Sequence, residues 1–210
     1  MPKTLILIPS RLAASRLPGK PLLKINGLSI ISHVLNKAKK SNVGEVHVCT
    51  GDKEIYEDVR NNGGNCILTQ KEHKTGTDRI YEGFQKLNLS NVDYILNLQG
   101  DEPTIDVEDI KKMNSIACKN ESDVATLALQ INCKENLNSD NIVNVQTNAY
   151  LKLKYFSHAI KFFLKSPHLK YNNFYHHILI YQYISSILQK FFSFSHTNSE
   201  ITYQLEQLRF

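Results

Sequence analysis

Tryptophan is absent, methionine occurs twice, and no glycine lies beyond Gly100. The four cysteines, Cys49, Cys66, Cys118 and Cys133, are far apart and form no CxxC pair. That spacing argues against a zinc knuckle and against a disulfide framework. No run of about 18 apolar residues occurs, which excludes a membrane-spanning helix. The start, Met1-Pro2-Lys3-Thr4 followed by a short apolar run closed by Pro9, lacks the length and cleavage site of a secretory signal; a cytoplasmic location is expected. No aspartate follows Asp140. With no glycine in the last 62 residues, that region has few places for tight turns.

What is present is a chain of 210 residues, 41% hydrophobic and 21% charged. These are ordinary values for a globular protein with a real core. Its net charge of +5 is unevenly spread. Residues 1–148 carry 18 basic and 18 acidic side chains, whereas 149–210 carry seven basic side chains against Glu200 and Glu206. Fifteen of the 19 aromatics also lie in this last part. Basic plus aromatic is a nucleic-acid signature only where the charges cluster or a binding motif is present. The lysines here are scattered and no such motif occurs, so no nucleic-acid partner is expected.

The periodicity predicts alternating strands and helices. Thr4–Pro9 reads as a buried parallel strand. A helix is expected over Ile30–Lys40, a strand over Glu45–Thr50, and a helix from Asp52 to about Asn61. Next come a short strand at Cys66–Leu68, a helix from Thr77 or Asp78 to about Leu87, and a strand over Asp93–Leu98. Val107–Cys118 reads as helix, and Asp123–Gln130 and Ile142–Gln146 as strands. Beyond residue 150 the pattern blurs: strands near Tyr150–Phe156 and Ile178–Tyr183, and a helix over Ser199–Leu208. Such alternation implies βαβ units, hence an α/β fold with three layers and a mostly parallel sheet.

Two segments bear opposite charge at the carboxyl ends of strands, where open α/β sheets bind ligands. The loop after the first strand carries Arg11, Arg16 and Lys20, with Ser10, Ser15 and the Gly19 backbone as further donors; this suits a polyphosphate. It is not a Walker loop, and charge alone leaves a solvated surface loop equally open. After the fourth strand, Gln99-Gly100-Asp101-Glu102-Pro103 places Asp101 where magnesium is commonly held against phosphates. If strand alternation continues, Glu102 points the other way; an acidic pair at the start of the helix before Val107 is the alternative reading. In His73-Lys-Thr-Gly-Thr-Asp-Arg79 a helix begins. Thr77 and Asp78 read as caps, Arg79 opposes the helix dipole and so suggests a ligand role, and His73 reads as a surface residue.

Together these runs resemble the 3-deoxy-manno-octulosonate cytidylyltransferases. The resemblance rests on Ile8–Leu22 (IPSRLAASRLPGKPL), His73–Arg79, Leu98–Pro103 (LQGDEP), Tyr155-Phe156-Ser157 and Leu205–Arg209 (LEQLR). It is dense over 1–148 and patchy afterwards. It implies a Rossmann-like nucleotidyltransferase domain over 1–210, with 1–148 as nucleotide-binding core and 149–210 as a divergent sugar-binding and dimer part. The implied reaction joins CTP and Kdo (3-deoxy-manno-octulosonate) into CMP-Kdo and pyrophosphate, with magnesium, for lipopolysaccharide assembly. Carried over, Arg11 and Lys20 hold the phosphates beside Arg16, and Asp101 holds magnesium. Gln99 and Arg79 face the sugar, Thr75 and Gly76 approach base and ribose, and His177, Glu206 and Gln207 lie on the sugar side. A homodimer is implied, and no membrane insertion.

The resemblance also has departures. His158 stands where the family has arginine, Ile160–Leu164 replaces a proline-rich segment, and Leu179 and Gln182 replace small residues, where overpacking is expected. Family members continue beyond the LEQLR motif into a segment like GVDTPEDL, which supplies a second metal-binding aspartate. The chain as given is therefore expected to be a poor enzyme or an inactive remnant that at most binds nucleotide.

Overall fold

The computed structural model describes residues 2–13, 17–131, 143–148, 150, 152–157, 174–195, 197–203 and 205–209. The chain divides into two compact units, one of 1–125 with 180–192 and one of 126–179 with 193–210.

In the first unit the elements follow in order: β1 (Thr4–Ser10), a small hairpin of β2 (Lys24–Ile25) and β3 (Leu28–Ser29), α1 (Ile30–Lys40), β4 (Gly44–Thr50), α2 (Lys53–Asn61), β5 (Asn65–Leu68), α3 (Gly76–Leu87), β6 (Tyr94–Leu98) and α4 (Val107–Lys119). β1 is buried along its whole length, as a continuous apolar run demands of a strand covered on both faces. It pairs in parallel with β4 on one side and β6 on the other, and β4 pairs in parallel with β5. Helices cover both faces. Pro9 lies beside Gly76 of α3, while Thr4 Oγ1 donates to Asn114 Oδ1 of α4 at 2.8 Å. Thr4 and Pro9 differ in parity along β1, so α3 and α4 sit on opposite faces. Ile6, Ile8, Ile31, Val34, Leu35, Ile55, Val59, Ile80, Ile95 and Leu96 are completely buried between these layers.

β7 (Val124–Gln130) leads out of the first unit. In the second unit β8 (Asn144–Thr147) pairs antiparallel with β9 (Leu153–Ser157) and with Phe174–His176 of β10 (Phe174–Ile184). The end of β10, Ile180–Ile184, belongs to the first unit and runs antiparallel along β6. Within the first unit the sheet is therefore mixed: β5, β4, β1 and β6 run parallel, and the end of β10 runs antiparallel to β6.

α5 (Ser185–Ser193) is a helix that the sequence reading does not anticipate. Its buried Leu188 and Phe191 are three residues apart, and Phe192 stacks on Tyr81 with centroids 4.3 Å apart. The single helix expected over Ser199–Leu208 is two short pieces, α6 (Asn198–Tyr203) and a 3₁₀ turn at Glu206–Arg209. The Arg209 guanidinium donates to both Glu200 carboxylate oxygens, with both side chains almost wholly buried. Buried charges of this kind occur in pairs because neither is tolerable alone. His158 and Ile160–Leu164 lie outside the described residues. Leu179 does not overpack a core, since it is 39% exposed, whereas Gln182 is fully buried and donates to Cys118 Sγ.

Candidate active site

One cavity of about 250 Å³ opens at the carboxyl ends of β1 and β6, within the first unit. These strands are parallel neighbours, so their ends share one edge of the sheet. Gly100 makes the close approach possible. A Cβ there would stand 2.7 Å from the Pro9 carbonyl oxygen and 3.1 Å from Ile31 Cδ1.

From the β1 end come Ser10 and Arg11, and from the 3₁₀ turn Lys20–Leu22 comes Lys20. The loop is tied back at its base: Leu12 N–H donates to Asp52 Oδ2 at 2.8 Å, and Gly19 N–H to Leu12 O at 3.0 Å. Asp52 is the N-cap residue of α2, but its carboxylate makes no cap hydrogen bond and holds this loop. Gln99, Gly100 and Asp101 enter from β6. Lys20 Nζ and Asp101 Oδ2 pair at 2.8 Å, both partly exposed. The cation suited to phosphate and the carboxylate suited to metal thus neutralise each other. Glu102 is not among the residues that line the cavity; β6 ends at Leu98 and Gly100-Asp101 form a turn, so strand alternation does not reach it. Burial, and then the charge of Asp101, pushes the Glu102 carboxyl up from the ordinary value.

The third side comes from the start of α3. Thr75, not Thr77 or Asp78, is its N-cap, in a reciprocal box: Thr75 Oγ1 accepts from Asp78 N–H and Asp78 Oδ2 accepts from Thr75 N–H. Arg79 also lines the cavity, yet it is 3% exposed and its guanidinium donates to Thr69 Oγ1, Gln70 O and Lys71 O at 2.7–3.0 Å. It pins the segment after β5 to the helix. Sequence reasoning saw a charged residue against the dipole, but the carbonyls that employ it become visible only in three dimensions. Sequence reasoning also missed His73, which is part of the cavity wall. The thiols of Cys49 and Cys66 take no part: burial raises both, that of Cys66 to about 12.

Of the expected site residues, the cavity gathers Arg11, Lys20, Thr75, Gly76, Arg79, Gln99 and Asp101. Arg16 lies outside the described residues. His177, Glu206 and Gln207 belong to the second unit. There His177 is 3% exposed, its Nε2 lies 2.9 Å from Thr126 Oγ1, and its ring meets Phe156 edge-on.

Burial, with the neighbouring His176 second, pushes the His177 imidazole down to about 3. An unfolded histidine titrates near pH 6.5. Below that pH the unfolded chain takes up a proton that the folded chain refuses. The stability linked to neutral His177 is therefore complete above about pH 6.5 and declines as pH falls toward 3. Denaturation midpoints followed from pH 7 to 5 should fall less steeply in His177→Phe than in the unchanged chain; equal slopes would refute this linkage.

Asp101 is the only carboxylate among the residues that line the cavity, and among the described residues no cluster of three or more metal-ligating side chains occurs. Magnesium usually takes one or two carboxylates plus substrate phosphates rather than an all-protein cage. One partly exposed aspartate opposite two cations fits a magnesium ion that arrives with a triphosphate. No helix among the described residues is long and apolar enough to cross a membrane.

Comparison with known proteins shows the family. The cytidylyltransferase family profile matches residues 5–210. A 3-deoxy-manno-octulosonate cytidylyltransferase of Rhodopseudomonas palustris strain BisB18 is 40% identical, over 99% of this chain and 84% of its own length. That of Nitrobacter winogradskyi is 38% identical, over 99% and 81%. A solved structure of CMP:2-keto-3-deoxy-manno-octonic acid synthetase complexed with CTP superimposes with a TM-score of 0.88 at 35% identity, covering 99% of this chain and 84% of that one. A cytidylyltransferase from Leptospira borgpetersenii shares the fold at a TM-score of 0.62 and 20% identity. With motifs, cavity and similarity over nearly its whole length in agreement, the chain belongs to the cytidylyltransferase family, among the 3-deoxy-manno-octulosonate cytidylyltransferases.

Proposed function

We propose that this chain transfers CMP from CTP to 3-deoxy-D-manno-octulosonate, giving CMP-Kdo and pyrophosphate for lipopolysaccharide biosynthesis. The observation that carries the reading is the meeting of Arg11 and Lys20 with Asp101 at one edge of the sheet, in a chain 40% identical to such an enzyme. Arg11 and Lys20 bind the triphosphate, and Asp101 is the protein ligand of the magnesium that accompanies it. That ion, when bound, neutralises phosphate charge and strengthens the leaving group.

The anomeric hydroxyl oxygen of the sugar attacks the α-phosphorus in line. The bond to the bridging oxygen breaks, its electron pair leaves with pyrophosphate, and the hydroxyl proton passes to water. The chain contributes orientation and fixed charge rather than covalent chemistry. Lys20 exchanges Asp101 for phosphate as the nucleotide enters, which frees the carboxylate for the ion. Gln99, in the same wall, faces the sugar. Arg16, His177, Glu206 and Gln207 are assigned to the substrates by resemblance to the family. A homodimer follows only from the resemblance to the family, and light scattering tests it.

Pyrophosphate release measured with CTP, Kdo and magnesium should rise with both substrates and stop without magnesium. CTP binding with no release under any of these conditions would overturn the transferase reading and leave a nucleotide-binding remnant.

A further inference from the structure

We propose that His73 selects cytosine over uracil by offering its Nδ1 as a hydrogen-bond acceptor to the 4-amino group of the base. The inference deepens the CTP reading above and rests on it.

The side chain of His73 is 13% exposed and lines the cavity. Its Nε2 lies 2.5 Å from Glu82 Oε2. Glu82, on α3, also accepts Gln70 N–H on both oxygens at 3.0 Å and Lys86 Nζ at 2.7 Å. Burial alone would raise the pKa of this carboxyl, but the hydrogen bonds from Lys86, Gln70 N–H and His73 outweigh it and hold the group below its ordinary value.

An ionised carboxylate only accepts hydrogen bonds, so the ring hydrogen sits on Nε2. In the neutral imidazole Nδ1 is then an acceptor. Nothing among the described residues donates to Nδ1. The ring is also held from behind. Gln70 N–H donates to Glu82 and the Gln70 carbonyl accepts from the Arg79 guanidinium, so the segment next to His73 is tied to α3.

His73, Thr75 and Gly76 line the same cavity as Arg11 and Lys20; with the phosphates assigned to the two cations, these three residues are assigned to the base. Cytosine and uracil differ at position 4 and in the N3 hydrogen. Cytosine presents an amino donor at position 4, uracil a carbonyl acceptor. An acceptor nitrogen bonds the first and opposes the lone pairs of the second. A site built around one hydrogen bond rejects the analogue that lacks it more strongly than an apolar pocket does.

The test is calorimetric titration of the full chain with CTP and with UTP, each with magnesium, for the unchanged protein, His73→Leu and Glu82→Gln. The unchanged protein should prefer CTP. His73→Leu should lose about tenfold or more of that preference, through weaker CTP binding. In Glu82→Gln the amide oxygen stays with Gln70 N–H and Lys86, and the amide NH₂ faces Nε2. The ring hydrogen then moves to Nδ1, which becomes a donor, and preference shifts toward UTP. A brace that merely stabilises the loop would change both affinities together and leave their ratio untouched. An unchanged ratio in the folded variants overturns the proposal alone, and Glu82→Gln decides it if His73→Leu does not fold. Failure of the unchanged protein to bind CTP overturns both this proposal and the function on which it rests.

Discussion

Replacing Asp101 with asparagine is expected to move two measurements in opposite directions. Pyrophosphate release should fall about a hundredfold or more, because asparagine keeps the shape of the side chain and removes the charge that fixes the ion on the phosphates. Small displacements of reacting groups cost rates of this order. Binding of CTP without magnesium should hold or improve. In the unchanged chain Lys20 is paired with Asp101 at 2.8 Å, so an incoming triphosphate must break that contact and meets a carboxylate besides. In Asp101→Asn, Lys20 is left to the phosphates, and the repulsion is gone. Calorimetry with and without magnesium, together with the release assay, checks both halves. Weaker metal-free CTP binding, or turnover at the level of the unchanged protein, would remove Asp101 from the role assigned to it.

Gly44→Val should unfold much of the first unit. Gly44 opens β4 and pairs with Thr4 at the start of β1. A Cβ on Gly44 would stand 1.8 Å from the Thr4 carbonyl oxygen and 2.7 Å from its carbon. These are backbone atoms, and no flexible side chain can give way. β1 cannot retreat, because β6 pairs along its other edge. The contact is relieved only by parting the strands at the centre of the sheet. Overpacking alone commonly costs about 1–3 kcal/mol, and losing the end of a central strand pairing adds to it. Domains have only about 5–15 kcal/mol in reserve. The midpoint of chemical denaturation should drop sharply, with soluble yield, and a midpoint equal to that of the unchanged protein would contradict the packing described.

The elements of the first unit were legible in the sequence because each carries its own period and its own stop. Thr4–Pro9 is apolar without alternation, since both faces of β1 are covered. Ile30, Ile31, Val34, Leu35 and Ala38 recur at helical spacing because one side of α1 is buried. The cations after β1 and the aspartate after β6 were legible as charges at strand ends, and parallel pairing brings them to one edge.

Other features depended on partners distant in the chain. Asp52 stands at the N-cap of α2, yet its carboxylate holds Leu12, forty residues away. Arg79 lines the cavity, and it also braces the segment 69–71, which no local pattern announced. His73 looked solvated but is seated against Glu82. In the second unit β9 and β10 appear where only blurred strands could be read, and their antiparallel pairing carries no local mark. The sequence by itself determined which segments alternate and where charge collects, because period and composition are properties of neighbours along the chain. The tertiary structure alone decided which donor meets which acceptor. A side chain with several possible hydrogen-bond partners takes the one that folding brings within 3 Å, and that choice sets whether it braces the wall or faces the ligand.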